Sequence, residues 1–305
     1  MPINLSRYRG ALLGLAAGDA LGTTLEFQPP GSFPPLEDMV GGGPSGLSPG
    51  QWTDDTAMAL CLAESLIEAG FDPRDQLERY CRWFREGHLS STGHCSDIGH
   101  TTREALIRFE RSGLLEAPPD PRRAGNGSIM RLAPVPLFYA RRPREAVERA
   151  AASSRTTHGA PEAVDACRYL AALLVGALAG VGRDELLGDR FDPVPGLWRE
   201  QPLAPRIEAI ARGCFKSKAP PAIRGTGYVA ECLEAALWAF NRSSCFRDGA
   251  LLAVNLGDDA DTTGAVYGQL AGAFYGEEAI PTRWRALLAR ADLIGSMAER
   301  LHALA

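Results

Sequence analysis

Apolar residues recur at spacings of three and four along most of the chain, in segments of helical length. Runs of β-branched residues with a period of two are nearly absent. Pro161 and Pro281 mark the starts of two segments, because proline fits the first turn of a helix. This pattern predicts an all-α protein. The predicted helices cover residues 8–21, 57–69, 74–85, 102–111, 144–153, 161–179, 206–212, 227–240, 246–254, 262–275 and 282–304, with a break in the last one near Leu293.

Three stretches rich in proline and glycine interrupt this pattern, at residues 28–50, 115–127 and 187–205. Stretches of this length without periodicity are typical of functional loops or lids in a compact domain. The first is a candidate lid, because it lies between Glu26 and a pair of aspartates at 54–55. None is simple enough in composition to be a linker, and we find no internal repeat. We therefore expect a single domain spanning residues 1–305.

The composition excludes several classes of protein. A net charge of -5 does not suit a surface that neutralises many phosphates of a nucleic acid. The longest apolar run, residues 169–181, is too short to cross a bilayer, and the N-terminal segment lacks the pattern of a signal peptide. Seven cysteines form no CxxC pair, which fits reduced thiols. We expect a cytoplasmic protein with no membrane partner and no nucleic-acid partner.

The segment GDDADTTGA, residues 257–265, concentrates three aspartates beside an apolar helix. One aspartate is enough to cap a helix, so capping leaves the other two unexplained. Buried like charges are costly without a counter-charge, and a hard cation is the usual one. The segment is not an EF-hand, because starting that loop at Asp259 puts Leu270 at the position that needs an acidic ligand.

A second acidic segment, QWTDDTAMAL, has the same arrangement. Asp54 and Asp55, flanked by Thr53 and Thr56, follow a loop rich in glycine and precede an amphipathic helix. Capping explains one of these residues as well. If the two helix N-termini converge, they form an all-oxygen site suited to Mg²⁺ or Mn²⁺, and the number of carboxylates is sufficient for two ions.

Two further segments carry weaker signals. Asp19 and Glu26 lie among small residues in GLAAGDALGTTLEF, where Asp19 fits a helix end and Glu26 fits either the surface or a third contribution to the acidic site. Residues 124–135, AGNGSIMRLAPV, join a glycine turn to an apolar segment. Such a turn can cradle an anion with its backbone N–H groups, although it lacks the lysine of a P-loop and also fits a plain turn.

Histidine and cysteine do not give a recognisable site by their spacing. His94, Cys95, Asp97 and His100 cluster in STGHCSDIGHTT, but their spacing matches neither a zinc site nor a cysteine–histidine pair. A solvated loop that ends in a helix cap accounts for them. His158, in RTTHGAPEAV, fits a capping or packed histidine.

Seven segments, taken in order, resemble the ADP-ribosylglycohydrolase family, which includes the dinitrogenase reductase-activating glycohydrolase and the ADP-ribosylarginine hydrolases. The resemblance implies an all-α, single-domain orthogonal bundle with two divalent cations, Mg²⁺ or Mn²⁺, at the base of a cleft for ADP-ribose. The matching segments are GALLGLAAGDALGTTLE, QWTDDTAMAL, SDIGHTTREAL, AGNGSIMRLAPV, TTHGAPEAVDACRYLAALL, GTGYVAECLEAALWAF and AVNLGDDADTTGAVYGQLAGAFYG.

The resemblance also implies roles for individual residues. Asp258 is not a ligand in the family pattern. The residues that match metal ligands are Thr53, Asp54, Asp55, Asp259, Asp261 and Thr262. Five residues match the family's residues around the phosphates, the distal ribose and the nucleotide of ADP-ribose: Gly125, Asn126, Gly127, Ser128 and His158. The candidates for the catalytic base are Glu26, beside the metals, Asp55, and Asp97, which matches an acidic residue near the guanidinium in branches that act on arginine.

The resemblance implies metal-dependent hydrolysis of the N-glycosidic bond between ADP-ribose and an acceptor arginine, with an ADP-ribosylated protein as substrate. Hydrolysis of another linkage, to serine, to O-acetyl-ADP-ribose or to a modified nucleic acid, stays open. A non-catalytic ADP-ribose-binding or structural protein is a rival from another class, since the same fold serves as a lens crystallin. Both aspartate pairs and Glu26 are retained, which favours an enzyme.

Overall fold

The computed structural model describes residues 4–305, which form α-helices joined by loops, and contains no β-sheet within that range. The prediction of an all-α protein is confirmed. The helices are α1 (Leu5–Gly22), α2 (Asp54–Ala69), α3 (Pro73–Glu86), α4 (His100–Ser112), α5 (Pro134–Phe138), α6 (Pro143–Arg155), α7 (Pro161–Leu178), α8 (Arg183–Leu186), α9 (Leu197–Glu200), α10 (Pro205–Ala211), α11 (Val229–Arg242), α12 (Phe246–Val254), α13 (Ala260–Tyr275), α14 (Thr282–Leu287) and α15 (Ala291–Leu304). Short 3₁₀ turns cover Thr23–Leu25, Pro121–Arg123, Cys214–Ser217 and Glu277–Ala279.

The differences from the sequence-based helices have local causes. The last predicted helix breaks between Leu287 and Ala291, earlier than expected, because Arg290 adopts a left-handed φ of 57°. The short helices α5, α8 and α9 were not predicted, since four or five residues are too few to show a helical period. In α5, Pro134 occupies the first turn, where its missing N–H costs no hydrogen bond.

Helices α1 and α13 pack against each other through glycines spaced four residues apart. A β-carbon on Gly14 would overlap the carbonyl oxygen of Gly268, and one on Gly18 would overlap that of Gly264. Gly10 and Gly272 form the equivalent pair one turn further along. The pairing order shows that the helices run antiparallel, so the C-terminal end of α1 lies beside the N-terminal end of α13. Only residues without side chains allow two backbones to approach this closely.

The candidate lid, residues 28–50, is held against the bundle. Asp38 accepts a hydrogen bond from the indole of Trp284 at 2.6 Å, and the N–H of Leu36 donates to Asn255 at 2.6 Å. Met39 is buried. The loop therefore packs along α12 and α14, and none of its residues lines the cavity described below.

The composition led to expectations about the cysteines and about membrane spans. All seven cysteines are free thiols, as expected. Within residues 4–305, we find no helix of the length and apolar character that a membrane span requires.

The glycine contact predicts a specific loss of stability. Gly14→Ala should lower the free energy of unfolding by about 2 kcal/mol or more, because a β-carbon there forces the two backbones apart. Gly182→Ala is the control, since a β-carbon at Gly182 meets no atom within 4 Å, and its effect should stay within about 0.5 kcal/mol. Denaturant unfolding followed by circular dichroism measures both, and equal stability of the two variants would contradict the packing argument.

Candidate active site

A cavity of about 250 Å³ opens where the N-terminal ends of α2, α4 and α13 meet the segment after α1 and the loops before α5 and α11. It brings together nine of the residues singled out in the sequence, which are Glu26, Asp54, Asp97, Gly125, Asn126, Gly127, His158, Asp259 and Thr262. Four others are not part of its lining, namely Thr53, Asp55, Ser128 and Asp261. All four are buried.

Asp19 caps α2 from the neighbouring helix α1. Its carboxylate accepts the backbone N–H groups of Thr53 at 2.9 Å and Thr56 at 3.0 Å. It also accepts their hydroxyl groups, at 3.0 and 2.6 Å. Asp19 thus satisfies the N–H groups of Thr53 and Thr56 at this helix end, and neither the side chain of Asp54 nor that of Asp55 takes part in the cap. Capping therefore explains neither Asp54 nor Asp55. The sequence did not indicate that Asp19 caps α2, because the two segments are remote along the chain.

The N-terminal ends of α2 and α13 converge at Thr53. Its hydroxyl oxygen lies 3.3 Å from Oδ2 of Asp55 and 3.4 Å from Oδ2 of Asp261. Both aspartates are buried. The N-terminal ends of α2 and α13 therefore lie side by side, as a cation site shared by the two acidic segments requires.

Glu26 and Asp97 complete an acidic group with Asp261, in which one carboxylate oxygen from each residue lies within 4.8 Å of the others. Glu26 is 2% exposed, whereas Asp97 is an exposed residue at the rim with a left-handed φ of 54°. Oε2 of Glu26 and Oδ1 of Asp55 are buried without a hydrogen-bond partner. Oxygen atoms that lack a donor, on neighbouring groups of like charge, fit a divalent cation.

Burial dominates the electrostatics of this group. It raises the pKa of Asp54, Asp55 and Asp261 well above the usual range, and neighbouring carboxylates raise it further. The pKa of Glu26 rises to about 9, first through burial and then through Asp97. In the absence of a counter-charge, Glu26 therefore holds a proton at neutral pH, and burial disfavours the charged forms of the three aspartates.

Asp258 and Asp259 point to different surroundings although they are adjacent. Oδ2 of Asp259 accepts a hydrogen bond from the amide of Asn126 at 2.8 Å, which ties the acidic group to the glycine loop. Asp258 forms an ion pair with Arg224 at 2.9 Å instead. Its left-handed φ of 53° turns the chain between the two residues.

The glycine loop before α5 is fixed to the start of α11. The N–H of Asn126 donates to the carbonyl of Gly227 at 3.1 Å, and a β-carbon on Gly127 would lie 2.8 Å from Cε1 of His158. Glycine is therefore needed for the imidazole to approach. Ser128 faces the core, where its hydroxyl oxygen accepts a hydrogen bond from Ser154 at 2.9 Å. His158 is buried, and burial lowers its pKa to about 3, so the ring is neutral.

The family model for ADP-ribosylglycohydrolase matches residues 1–305. The chain belongs to this family. It is 42% identical to the ADP-ribosylarginine hydrolase Tri1 of Serratia proteamaculans (strain 568), over 99% of this chain and 80% of that protein. It is 45% identical to the protein of the same name from Pseudomonas putida (strain GB-1), over 97% and 78%. A solved structure described as an ADP-ribosylglycohydrolase-related protein complex matches with a TM-score of 0.88 and 46% identity, covering 100% of this chain and 99% of that one. The predicted family and fold type are confirmed.

Several residues that the sequence did not single out also line the cavity. They are Phe27, Gly99, Thr101, Thr102, Met130 and Gly227, and His100, which the sequence analysis assigned to a solvated loop, lines the cavity as well. Phe27 is 66% exposed and has a left-handed φ of 59°. Reciprocal backbone hydrogen bonds hold it, since its N–H donates to Asp258 at 2.7 Å and the N–H of Asp258 donates to Gln28 at 2.8 Å. No periodicity or motif marks such a position, because an exposed aromatic residue becomes informative only next to a cavity.

The buried acidic group predicts that Asp261→Asn stabilises the cation-free protein but removes its stabilisation by Mn²⁺. In EDTA the variant should unfold at a higher temperature than the unmodified protein, because one buried carboxylate is removed. It should also lose the stabilisation by Mn²⁺, which for a bound ion in hundredfold excess over its Kd is about 2.7 kcal/mol. Thermal unfolding with and without Mn²⁺ measures both. Asp258→Asn is the control and should keep the Mn²⁺ effect, and a variant of Asp261 that still responds to Mn²⁺ would contradict the assignment.

The raised pKa values predict how the effect of Mn²⁺ depends on pH. Groups with a raised pKa bind more protons in the folded state, so the stability of the cation-free protein should fall as pH rises toward about 9, the pKa of Glu26. A cation competes with those protons, so its stabilising effect should grow over the same range. Melting temperatures in EDTA and in Mn²⁺ across this range test both trends. A cation effect independent of pH would contradict them.

Proposed function

We propose that this protein hydrolyses the N-glycosidic bond between ADP-ribose and an arginine side chain of a modified protein, and so reverses mono-ADP-ribosylation. The observation that carries the proposal is the meeting of carboxylates from four segments with a glycine loop in one cavity. The two bacterial relatives named above, at 42% and 45% identity, are ADP-ribosylarginine hydrolases by name, which supports arginine as the acceptor.

The acidic group fits divalent cations by its chemistry, because it offers carboxylate and hydroxyl oxygens without a basic side chain among the cavity's lining residues other than histidine. Two ions, Mg²⁺ or Mn²⁺, would be held by Thr53, Asp54, Asp55, Asp259, Asp261 and Thr262. When bound, such ions supply Lewis-acid stabilisation to the ribose hydroxyls and lower the pKa of water.

The glycine loop and His158 orient the nucleotide in this proposal. Gly125, Asn126 and Gly127 line the cavity, and the N–H groups of Gly125 and Gly127 suit the phosphates and the distal ribose, whereas the N–H of Asn126 donates to Gly227. The loop's tie to Asp259 through Asn126 fixes the distance between the phosphates and the acidic group. Since Ser128 faces the core, we assign no contact to its side chain.

Carboxylates of the acidic group stabilise the developing charge and supply the general base. As the bond between C1′ of the ribose and the guanidinium nitrogen breaks, positive charge grows on the ribose, and buried carboxylates nearby stabilise it. The general base, which is Glu26, Asp55 or Asp97, accepts a proton from the attacking water while the oxygen of the water bonds to C1′. The electron pair of the broken bond leaves with the guanidine, which then takes up that proton. Asp97 is an exposed residue at the rim, and its carboxylate suits the positive charge of an incoming arginine.

The deciding experiment measures release of ADP-ribose from a protein modified on arginine and from one modified on serine, with Mg²⁺, with Mn²⁺ and after EDTA treatment. Metal-dependent release from arginine is expected. Release from serine alone would overturn the acceptor while keeping the chemistry. Release from neither would overturn the assignment of the protein as an ADP-ribosyl hydrolase of these linkages.

Asp97→Asn tests the role of the rim carboxylate. Asparagine tolerates the left-handed backbone, so the substitution removes charge without strain. The kcat/KM for arginine-linked substrate should fall about a hundredfold or more. Asp258→Asn is a matched control at a similar φ, and it should retain activity because Asp258 pairs with Arg224 away from the acidic group. Equal activity of the two variants would remove Asp97 from the mechanism.

A further inference from the structure

Arg131 is a buried cation directly behind the glycine loop. Its side chain is 1% exposed, and within residues 4–305 no carboxylate forms an ion pair with it. Its guanidinium lies over the ring of Tyr80, 4.5 Å from the centroid, and donates to the carbonyl of Gly127 at 3.2 Å. Burying a charge without a partner of opposite charge is costly, and the donors of Arg131 hold neighbouring polar groups in place.

The second nitrogen of this guanidinium determines the direction of a hydrogen-bond chain. Nη2 of Arg131 donates to Oγ1 of Thr157 at 2.7 Å, and that oxygen lies 2.8 Å from Nδ1 of His158. Arginine can only donate, and a threonine hydroxyl has one proton. Oγ1 accepts from Arg131, and the only other hydrogen-bond partner of this hydroxyl within residues 4–305 is Nδ1 of His158, so the hydroxyl proton is donated to Nδ1. Nδ1 is then the acceptor, and the ring proton of the neutral imidazole is on Nε2.

Nε2 of His158 faces the glycine loop and the cavity. A β-carbon on Gly125 would lie 3.4 Å from it, and one on Gly127 would lie 3.1 Å from it. His158 also belongs to the lining of the cavity. The proton on Nε2 is therefore directed to the space beside the loop, where it can be donated to an oxygen atom of a ligand.

We infer that Arg131 and Thr157 are positioning residues that hold His158 in its Nε2–H form, so that it donates a hydrogen bond to an oxygen of ADP-ribose. The identity of the ligand rests on the proposed function, whereas the tautomer does not. The same guanidinium contacts the carbonyl of Gly127, so one buried cation orients both the loop and the imidazole. The low pKa of His158, caused mainly by burial, agrees with a ring that stays neutral.

Thr157→Val is the main test, because valine keeps the shape of threonine without the hydroxyl. The ¹⁵N NMR signals of His158 report the tautomer directly, without a ligand. The unmodified protein and Thr157→Ser should show the Nε2–H form, and Thr157→Val should show a mixture with the Nδ1–H form. The variant should also bind ADP-ribose about tenfold more weakly, which corresponds to about 1.4 kcal/mol, the size of one hydrogen bond.

Thr156→Val is the matched control. Thr156 is also buried, and its hydroxyl lies 3.3 Å from Nη2 of Arg131, but that hydroxyl donates to the carbonyl of Ser153 and forms no hydrogen bond with His158. This variant should keep the Nε2–H tautomer. If it changes the tautomer as Thr157→Val does, general loosening of Arg131 is responsible and the specific chain through Thr157 is overturned.

The outcomes separate this inference from the proposed function. An Nδ1–H tautomer in the unmodified protein, or an unchanged tautomer in Thr157→Val, would overturn the inference even if arginine-linked ADP-ribose is released. An Nε2–H tautomer together with weaker ADP-ribose binding by Thr157→Val would support it, even in a protein that hydrolyses neither linkage. Calorimetric titration with ADP-ribose provides the affinities.

Discussion

The direct backbone contact between α1 and α13 sets the geometry of the cavity. Glycines at every fourth position face each other across the two helices, and a side chain at Gly14 or Gly18 would overlap a carbonyl of α13. Since the helices are antiparallel, this contact brings Asp19 and Glu26, at and after the end of α1, close to the start of α13. Asp19 then reaches across to cap α2. Three chain segments thereby meet at one point, with the cap supplied by a residue outside the acidic group.

The same arrangement creates an electrostatic problem that a cation resolves. The cap provided by Asp19 leaves Asp54 and Asp55 without a structural role at the helix end. Buried beside Asp261 and Glu26, they raise one another's pKa and leave oxygens without donors. A protein under selection for stability alone would replace such residues with apolar ones. Their retention at the base of a cavity next to a glycine loop fits a site in which bound ions and substrate balance the charge.

The sequence predicted the long helices well and the local details poorly. Period and length identified α2, α7 and α13, whereas α5, α8 and α9 are too short to carry a period. The glycine spacing of α1 and α13 is visible in the sequence, but its meaning depends on which helix lies opposite, and that is a property of the fold. The loop at 28–50 remains a candidate lid by its position in the sequence, and hydrogen bonds to Trp284 and Asn255 hold it against the bundle in the structure.

Some residues of the candidate site could be predicted from the sequence, and others could not. Two acidic segments at helix starts predict a cation site from charge and burial alone, because like charges there need a counter-charge. Asp97 and His158 carry no such local signal, and only the family resemblance pointed to them. Neither approach found Arg131, Thr157 or the capping of α2 by Asp19, because each acts through a contact with another segment or through a hydrogen bond whose direction requires coordinates.

The central claim is that the starts of α2 and α13 together hold divalent cations. Anomalous diffraction from crystals grown with Mn²⁺ tests it most directly, because the manganese signal locates the ions independently of the protein phases. The account predicts anomalous peaks among the oxygens of Asp54, Asp55, Asp259 and Asp261, with Asp258 paired to Arg224 and not coordinated. Peaks confined to other parts of the molecule, or none in crystals saturated with Mn²⁺, would contradict it.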